Sequence, residues 1–162
     1  MRAIESIPKK IQSLTTLKAT VACWRATGKT IAFTNGCFDI LHEGHIFSLS
    51  QAAKEADFLI VAVNSDTSIQ RLKGLDRPIN KAQSRALIIA SLAIVDAVIV
   101  FEEDTPLMLI ETLLPDILVK GGDYTIDQIV GSKEVIANGG KVVINPIITG
   151  FSTTSIIDQI KR

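Results

Sequence analysis

Phe58-Leu59-Ile60-Val61-Ala62-Val63 is an unbroken apolar run of six residues, followed at once by the polar Asn64-Ser65-Asp66. A run this short with no polar alternation reads as a strand buried on both faces, the form strands take in a parallel sheet covered by helices. Working outward, comparable short β-branched runs lie at Thr30–Thr34, Ala97–Phe101, Ile117–Val119 and Lys141–Ile144. Segments of helical period fill the intervals at about Gly44–Glu55, Lys81–Leu92, Thr105–Leu113 and Ser132–Asn138, with a last one at Thr153–Lys161. Pro8–Thr27 reads as an additional amphipathic helix, so residues 1–27 form an N-terminal helical extension. Strand and helix alternating in this way predict the α/β class.

The chain has 162 residues, enough for one substantial core and too few for a second. It carries no repeat, low-complexity stretch or flexible linker, which together predicts a single Rossmann-like domain with a parallel sheet of about five strands flanked by helices. Seventeen Lys and Arg balance seventeen Asp and Glu, so no bulk field draws the chain to nucleic acid and any bound anion must be met by local charges. No apolar run approaches the ~20 residues that span a bilayer, and MRAIESIPKK lacks the apolar centre of a signal peptide. The expectation is a soluble cytoplasmic protein without membrane partners, its Cys23 and Cys37 reduced, and a homodimer left open as its assembly.

Ligands of open parallel sheets sit at the C-terminal ends of the strands, near the switch in strand order. Three polar clusters are predicted to share that edge: Thr34-Asn35-Gly36-Cys37-Phe38-Asp39, Asn64-Ser65-Asp66, and Lys120-Gly121-Gly122-Asp123-Tyr124. The chain's two histidines, in His42-Glu43-Gly44-His45, fall just after the first strand at the head of the first long helix. There they can donate to phosphate oxygens alongside the free N–H groups and dipole of the helix, and Gly44 leaves room for close approach. A metal pair and incidental surface histidines are the other readings, and spacing alone leaves them open.

Phe38-Asp39-Ile40-Leu41-His42-Glu43-Gly44-His45 resembles the HxGH signature of the nucleotidyltransferase superfamily. Seven blocks follow in order: Thr34 to Asp39, Val63 to Asp66, Arg71 to Gly74 with Arg77-Pro78-Ile79, Phe101 to Pro106, Val119 to Tyr124, Gly131 to Glu134, and Gly150 to Thr154. Together they are similar to the D-glycero-β-D-manno-heptose 1-phosphate adenylyltransferase domains of bacterial ADP-heptose synthases, which serve lipopolysaccharide core assembly. The resemblance covers about residues 28 to 162. It implies that His42 and His45 stabilise the triphosphate during attack on its α-phosphorus, with Lys73 and Arg85 at the family's phosphate-binding positions. It further implies nucleotide contacts from Asn35, Gly36, Phe38, Gly44, Gly121, Asp123, Gly150, Ser152, Thr153 and Thr154, and substrate contacts from Asp39, Asn64, Arg71 and Arg77. A kinase and a phosphatase supplied separately are expected upstream.

The residues also carry readings of their own. Arg71, Lys73, Arg77 and Arg85 fall within fifteen positions, and a loop bearing them could close over a triphosphate; a solvated charged loop is the plain alternative. Gly121 and Gly122 allow close backbone approach and Asp123 can accept from hydroxyls, although an ordinary turn would use the same residues. A hydroxyl of Ser152-Thr153-Thr154 can cap the final helix whatever the function. Two departures, Ile147-Ile148-Thr149-Gly150 in place of an Arg-Thr-Glu-Gly lead-in and Ala93 in place of an arginine, argue against glycerol-phosphate and choline-phosphate cytidylyltransferases. Thr27-Gly28-Lys29-Thr30 imitates the end of a P-loop, but Cys23 occupies the first glycine position and the segment leads into a strand, so it reads as a helix C-terminus.

The reaction so implied is attack of a sugar 1-phosphate oxygen on the α-phosphorus of ATP. The attacking oxygen is already anionic, so positioning and charge neutralisation suffice and no nucleophilic side chain is needed. Mg²⁺ is expected with the ATP, held by phosphates and waters and not by a protein cluster, with Asp39 orienting the site or its water. Two alternatives stay open: a cytidylyltransferase for a small alcohol phosphate, and a non-catalytic nucleotide-binding domain. Base recognition is assigned to backbone near Gly121–Asp123 and Thr149–Thr153.

Overall fold

The computed structural model describes residues 3–146, 150 and 152–160. Five strands form one parallel sheet: β1 (Ile31–Gly36), β2 (Phe58–Asn64), β3 (Ala97–Phe101), β4 (Ile117–Gly121) and β5 (Lys141–Asn145), in the order β3-β2-β1-β4-β5. The direction of winding reverses between β1 and β4, so their C-terminal ends border the crevice where such sheets bind ligands. Every expected strand is present, and β1, β2, β4 and β5 each run one or two residues further than the apolar pattern, into Asn35-Gly36, Asn64, Lys120-Gly121 and Asn145.

Helices cover both faces because the strands are apolar on both. On one face α2 (Leu14–Ala26), α6 (Leu107–Leu113) and α7 (Ser132–Ala137) pack Leu17, Val21, Leu109, Ile110 and Val135 onto Phe33, Ile60 and Leu118. On the other, α3 (Glu43–Ala53) and α5 (Ala82–Ala90) bring Leu49, Ala86 and Ile89 onto Val61, Val63 and Val119. Each such fully buried aliphatic side chain contributes roughly 1.5–3 kcal/mol relative to exposure.

The N-terminal extension differs from one continuous helix. A short turn α1 (Ala3–Ser6) and a 3₁₀ turn at Pro8–Lys10 precede Ile11, which pairs with Val98 beside β3 while Gln12 N–H donates to the Val98 carbonyl at 2.8 Å. Only then does Ser13 cap α2 by accepting from Thr16 N–H. The open edge of β3 takes a hydrogen bond that a helix could not give it. Two further helices are α4 (Asp66–Lys73), in a charged stretch expected as loop, and α8 (Thr153–Ile160). Ser65 caps α4 by accepting from Ser68 N–H at 3.1 Å, and Asp66 sits in its first turn where the helix dipole favours a carboxylate.

The N-terminal ends of the strands are held by carboxylates. Asp57 accepts from Thr30 N–H, Asp116 from Ile31 N–H and Asp96 from Leu59 N–H, each at 2.8 to 3.0 Å. Lys29 pairs with Asp57 at 2.9 Å, and Gly28 takes a positive φ after α2, so the imitation P-loop is a helix end tied to a strand start. No helix among the described residues is long and apolar enough to cross a membrane.

Candidate active site

The histidine pair sits where strand β1 hands over to α3. His42 is the N-cap of α3 and His45 lies in its first turn, their rings stacked with centroids 3.8 Å apart. Phe38, held at φ +48, turns its buried ring edge-on to His45 with centroids 5.3 Å apart. A Cβ at Gly36 would stand 3.0 Å from that ring, so the glycine is what lets Phe38 fold beneath the histidine. Phe38 thus supports His45 from below and is not itself presented to a nucleotide.

Burial, with the second ring adding to it, pushes the His45 imidazole down to about 4, and burial lowers His42 too. Both rings are therefore neutral at pH 7, and each offers one N–H donor. Buried Nδ1 of His45 has no hydrogen-bond partner among the described residues. An orphaned buried polar atom in a native fold marks a missing ligand or water. The cavity beside it, about 200 Å³, is lined by Asn35, Gly36, His45, Ser48, Lys120 and Gly121 among others. A Cβ at Gly121 would come within 3.1 Å of Ser48 Oγ, so α3 lies close against the end of β4. Gly44 lies in the first turn of α3.

Asp39 and Arg85 depart most from expectation. The Asp39 side chain is wholly buried and accepts from Arg77 Nε at 2.7 Å, Ile79 N–H at 2.9 Å and Asn80 N–H at 2.8 Å. Burial alone would raise its carboxyl, but the Asn80 and Ile79 amides and the Arg77 guanidinium outweigh it and hold it below the usual range. Both oxygens are occupied, so Asp39 fixes the 77–80 loop and is not the water-orienting group. Arg85 is likewise fully buried. Its guanidinium donates to the Cys37 carbonyl at 2.6 Å, the Asn80 carbonyl at 2.8 Å and Asp66 Oδ1 at 2.9 Å. It is a positioning residue that ties the turn after β1 to α4 and α5, not a phosphate ligand at a mobile loop.

The other predicted cations divide similarly. Arg71 and Lys73 stand in the last turn of α4, not in a loop. Arg71 donates to Asp104 Oδ1 at 2.7 Å and to the Glu102 carbonyl, stapling α4 to the segment after β3. Arg77 is spent on Asp39. Lys73 is exposed, has no ion pair among the described residues, and its charge is felt at both Cys37 and Lys120. Of the four, Lys73 is the one whose side chain no carboxylate engages among the described residues. Asn64 is buried, donating to Ser68 Oγ at 3.1 Å, which in turn donates to the Glu103 carbonyl, and so it secures α4.

From the C-terminal part, Ser152 Oγ accepts from Ser155 N–H at 3.0 Å and caps α8 as the hydroxyl cluster suggested. Thr153 Oγ1 reaches the Ile40 carbonyl at 3.4 Å, which brings α8 beside the turn that carries His42. Thr154 is exposed in that first turn, Gly150 has φ +96, and Asp123 is exposed beyond the end of β4. Ile147, Ile148 and Thr149 of the lead-in, the Thr149 and Phe151 part of the proposed base-reading segment, and Lys161 at the expected helix end lie outside the described residues. Lys120, expected at the ligand edge only as part of the polar cluster after the fourth strand and with no role of its own, stands at the crevice beside Asn35.

Residues 33–159, most of the chain, match the cytidylyltransferase-like family. The chain belongs to that family. It is 55% identical over 141 residues to a protein named bifunctional protein HldE from Mesorhizobium japonicum, a match covering 87% of this chain and 28% of that protein. A second HldE, from Rhodospirillum rubrum, is 56% identical over 137 residues, covering 85% and 28%. The family domain therefore spans a little over a quarter of these relatives. Among solved structures, the lipopolysaccharide core biosynthesis protein of Thermoplasma volcanium is 33% identical with a TM-score of 0.61, covering 75% of this chain and 98% of that one. The pantoate-β-alanine ligase of Francisella tularensis shares the fold at 17% identity and a TM-score of 0.61, covering 93% of this chain and 76% of that one. The cytidylyltransferase-like domain is thus a nucleotidyltransferase of the kind read from HxGH.

Proposed function

We propose that the domain transfers an adenylyl group from ATP to D-glycero-β-D-manno-heptose 1-phosphate, giving ADP-heptose and pyrophosphate for lipopolysaccharide core assembly. The observation that carries this reading is the stacked, uncharged histidine pair at the head of α3, opening on the crevice between β1 and β4. A sugar-phosphate oxygen forms a bond to the α-phosphorus as the bond from that phosphorus to the β-phosphate oxygen breaks, and the electron pair leaves on pyrophosphate. His42 and His45 donate to phosphate oxygens as charge moves onto the leaving group, and the start of α3 adds its dipole. Lys73 neutralises the same charge from the mouth of the site.

The proposal includes Mg²⁺, a cytoplasmic setting and a homodimer. No cluster of three or more His, Cys, Asp or Glu side chains among the described residues would cage a metal, and Asp39 is fully engaged. That donor set suits an ion that arrives on the triphosphate and keeps its waters. Its chemistry there is to neutralise phosphate charge. The acceptor is supported by the high identity to HldE proteins and the likeness to a lipopolysaccharide core biosynthesis protein.

ATP is the favoured nucleotide because the arginine lead-in of the cytidylyltransferases is replaced by Ile147-Ile148-Thr149. Adenine and cytosine present similar donor and acceptor edges, so size must contribute alongside hydrogen bonds to discriminate them. Pyrophosphate release is expected with ATP and the heptose phosphate at a rate well above that with CTP at equal concentration. Equal or faster release with CTP would return the domain to cytidylyl transfer, and none with any nucleotide would leave a binding domain.

A further inference from the structure

A second cavity of about 200 Å³ opens at the same sheet edge, on the face of α6 and α7 and not of α3. Its floor is Leu118 and Ile129, and its walls carry Thr105, Tyr124 and Gln128. Asn35 and Lys120 line both this cavity and the one beside His45. Strand alternation explains their position, since they are two residues beyond Phe33 and Leu118 and share the face of those core side chains.

Lys120 is partly buried, yet it forms no ion pair among the described residues. Its Nζ lies 3.4 Å from the neutral Asn35 Oδ1 and 6.0 Å from the Tyr124 ring centroid. Asp104 lines the same cavity, but its Oδ1 is taken by Arg71. A cation withdrawn from water without a counter-ion needs an anion to offset its desolvation. Burial, and secondarily the charge of Lys73, already hold its pKa below the ordinary lysine range. Gly122 contributes to the same construction: at φ +134 a Cβ there would stand 2.6 Å from the Tyr124 ring, so glycine is what lets the tyrosine fold back over the cavity.

We propose that this second cavity is the acceptor subsite, in which the Lys120 ammonium grips the phosphate of the sugar 1-phosphate while Thr105, Tyr124 and Gln128 meet its hydroxyls. The inference rests on the adenylyl-transfer reading and gives it direction. In-line displacement requires the incoming oxygen and the departing pyrophosphate on opposite sides of the α-phosphorus. The histidines hold the triphosphate on the α3 side, and the acceptor approaches from the α6 side across the strand ends that Asn35 and Lys120 share. The incoming phosphate oxygen forms the new bond to the α-phosphorus, pyrophosphate leaves toward α3, and no proton need move.

Calorimetry with two probes tests this: D-glycero-β-D-manno-heptose 1-phosphate, and α,β-methylene ATP, which cannot transfer its adenylyl group. Lys120→Met is expected to weaken the sugar phosphate about 10- to 100-fold, the scale of a lost charge-assisted hydrogen bond, and to leave the analogue within about threefold. Lys120→Arg should recover part of the loss. Thr105→Phe, at an exposed rim position, should obstruct the cavity and weaken the sugar phosphate alone, which keeps the test decisive if Lys120→Met does not fold. Unchanged sugar-phosphate affinity in the folded variants, or an equal loss of the analogue, would overturn the subsite. Pyrophosphate release by the wild-type chain separates the two ideas. Turnover with sugar-phosphate affinity indifferent to Lys120 keeps adenylyl transfer and removes the subsite; Lys120-dependent binding without turnover does the reverse.

Discussion

His42 and His45 are two neutral imidazoles in van der Waals contact, and their protonation state decides what they can do. If both donate to the triphosphate mainly in the transition state, His42→Ala and His45→Ala should each lower turnover by roughly 10²–10³, the scale of one preorganised donor. Turnover within a few-fold of wild type in both variants would remove them from the mechanism. His45 also predicts a pH effect on stability. Its folded value of about 4 lies below the unfolded value near 6.5, so between those limits the unfolded chain binds more protons. Stability without ligand is therefore full above about pH 6.5 and falls as pH drops toward 4. Thermal melts of wild type and His45→Gln should converge as the pH is lowered through that window, and a constant gap would contradict the burial assignment.

At the scale of elements, the strands and the two-sided helical cover were legible because short apolar runs and capped helices are local signals. The fate of the cations was not. Arg85 reads as one more basic residue in a charged stretch, and the Cys37 carbonyl and Asp66 carboxylate that engage it come from segments no local pattern connects. Helix α4 escaped for a related reason: its Asp66–Lys73 sequence is mostly polar, and only the Ser65 cap and buried Ile69 mark it. The result is a clamp in which Asp39 and Arg85 lock the 77–80 segment to the turn after β1. Asp39→Asn leaves the Arg77 guanidinium without its buried partner, so a loss of about 3 kcal/mol in urea unfolding is expected. Arg71→Ala breaks an ion pair with both side chains half exposed and should cost less than about 1 kcal/mol. Similar losses for the two would show that burial is not what separates them.

Across the whole molecule, the exposed side chains of Leu87 and Ile88 on α5 border an apolar groove completed by Ile7 and Pro8. Covering that groove with its counterpart on a second copy accords with the proposed homodimer, since exposed apolar patches rimmed by polar residues mark association sites. Light scattering at micromolar concentration should return twice the 17.5 kDa chain mass, with Leu87→Glu shifting the protein to monomer. A wild-type mass of one chain would dismiss the dimer without touching the chemistry.

The carboxylates at the other end of the sheet have an evolutionary consequence. Asp57, Asp96 and Asp116 fasten the starts of neighbouring strands, while the residues of the proposed ligand site lie at the opposite ends. Selection can therefore rewrite the ligand-bearing ends without loosening the fastenings, and a change of substrate need not carry a debt in foldedness. A lineage descended from such a scaffold is free to diversify in what it joins while its strand starts stay fixed, so the pace of substitution should differ between the two rims of the sheet.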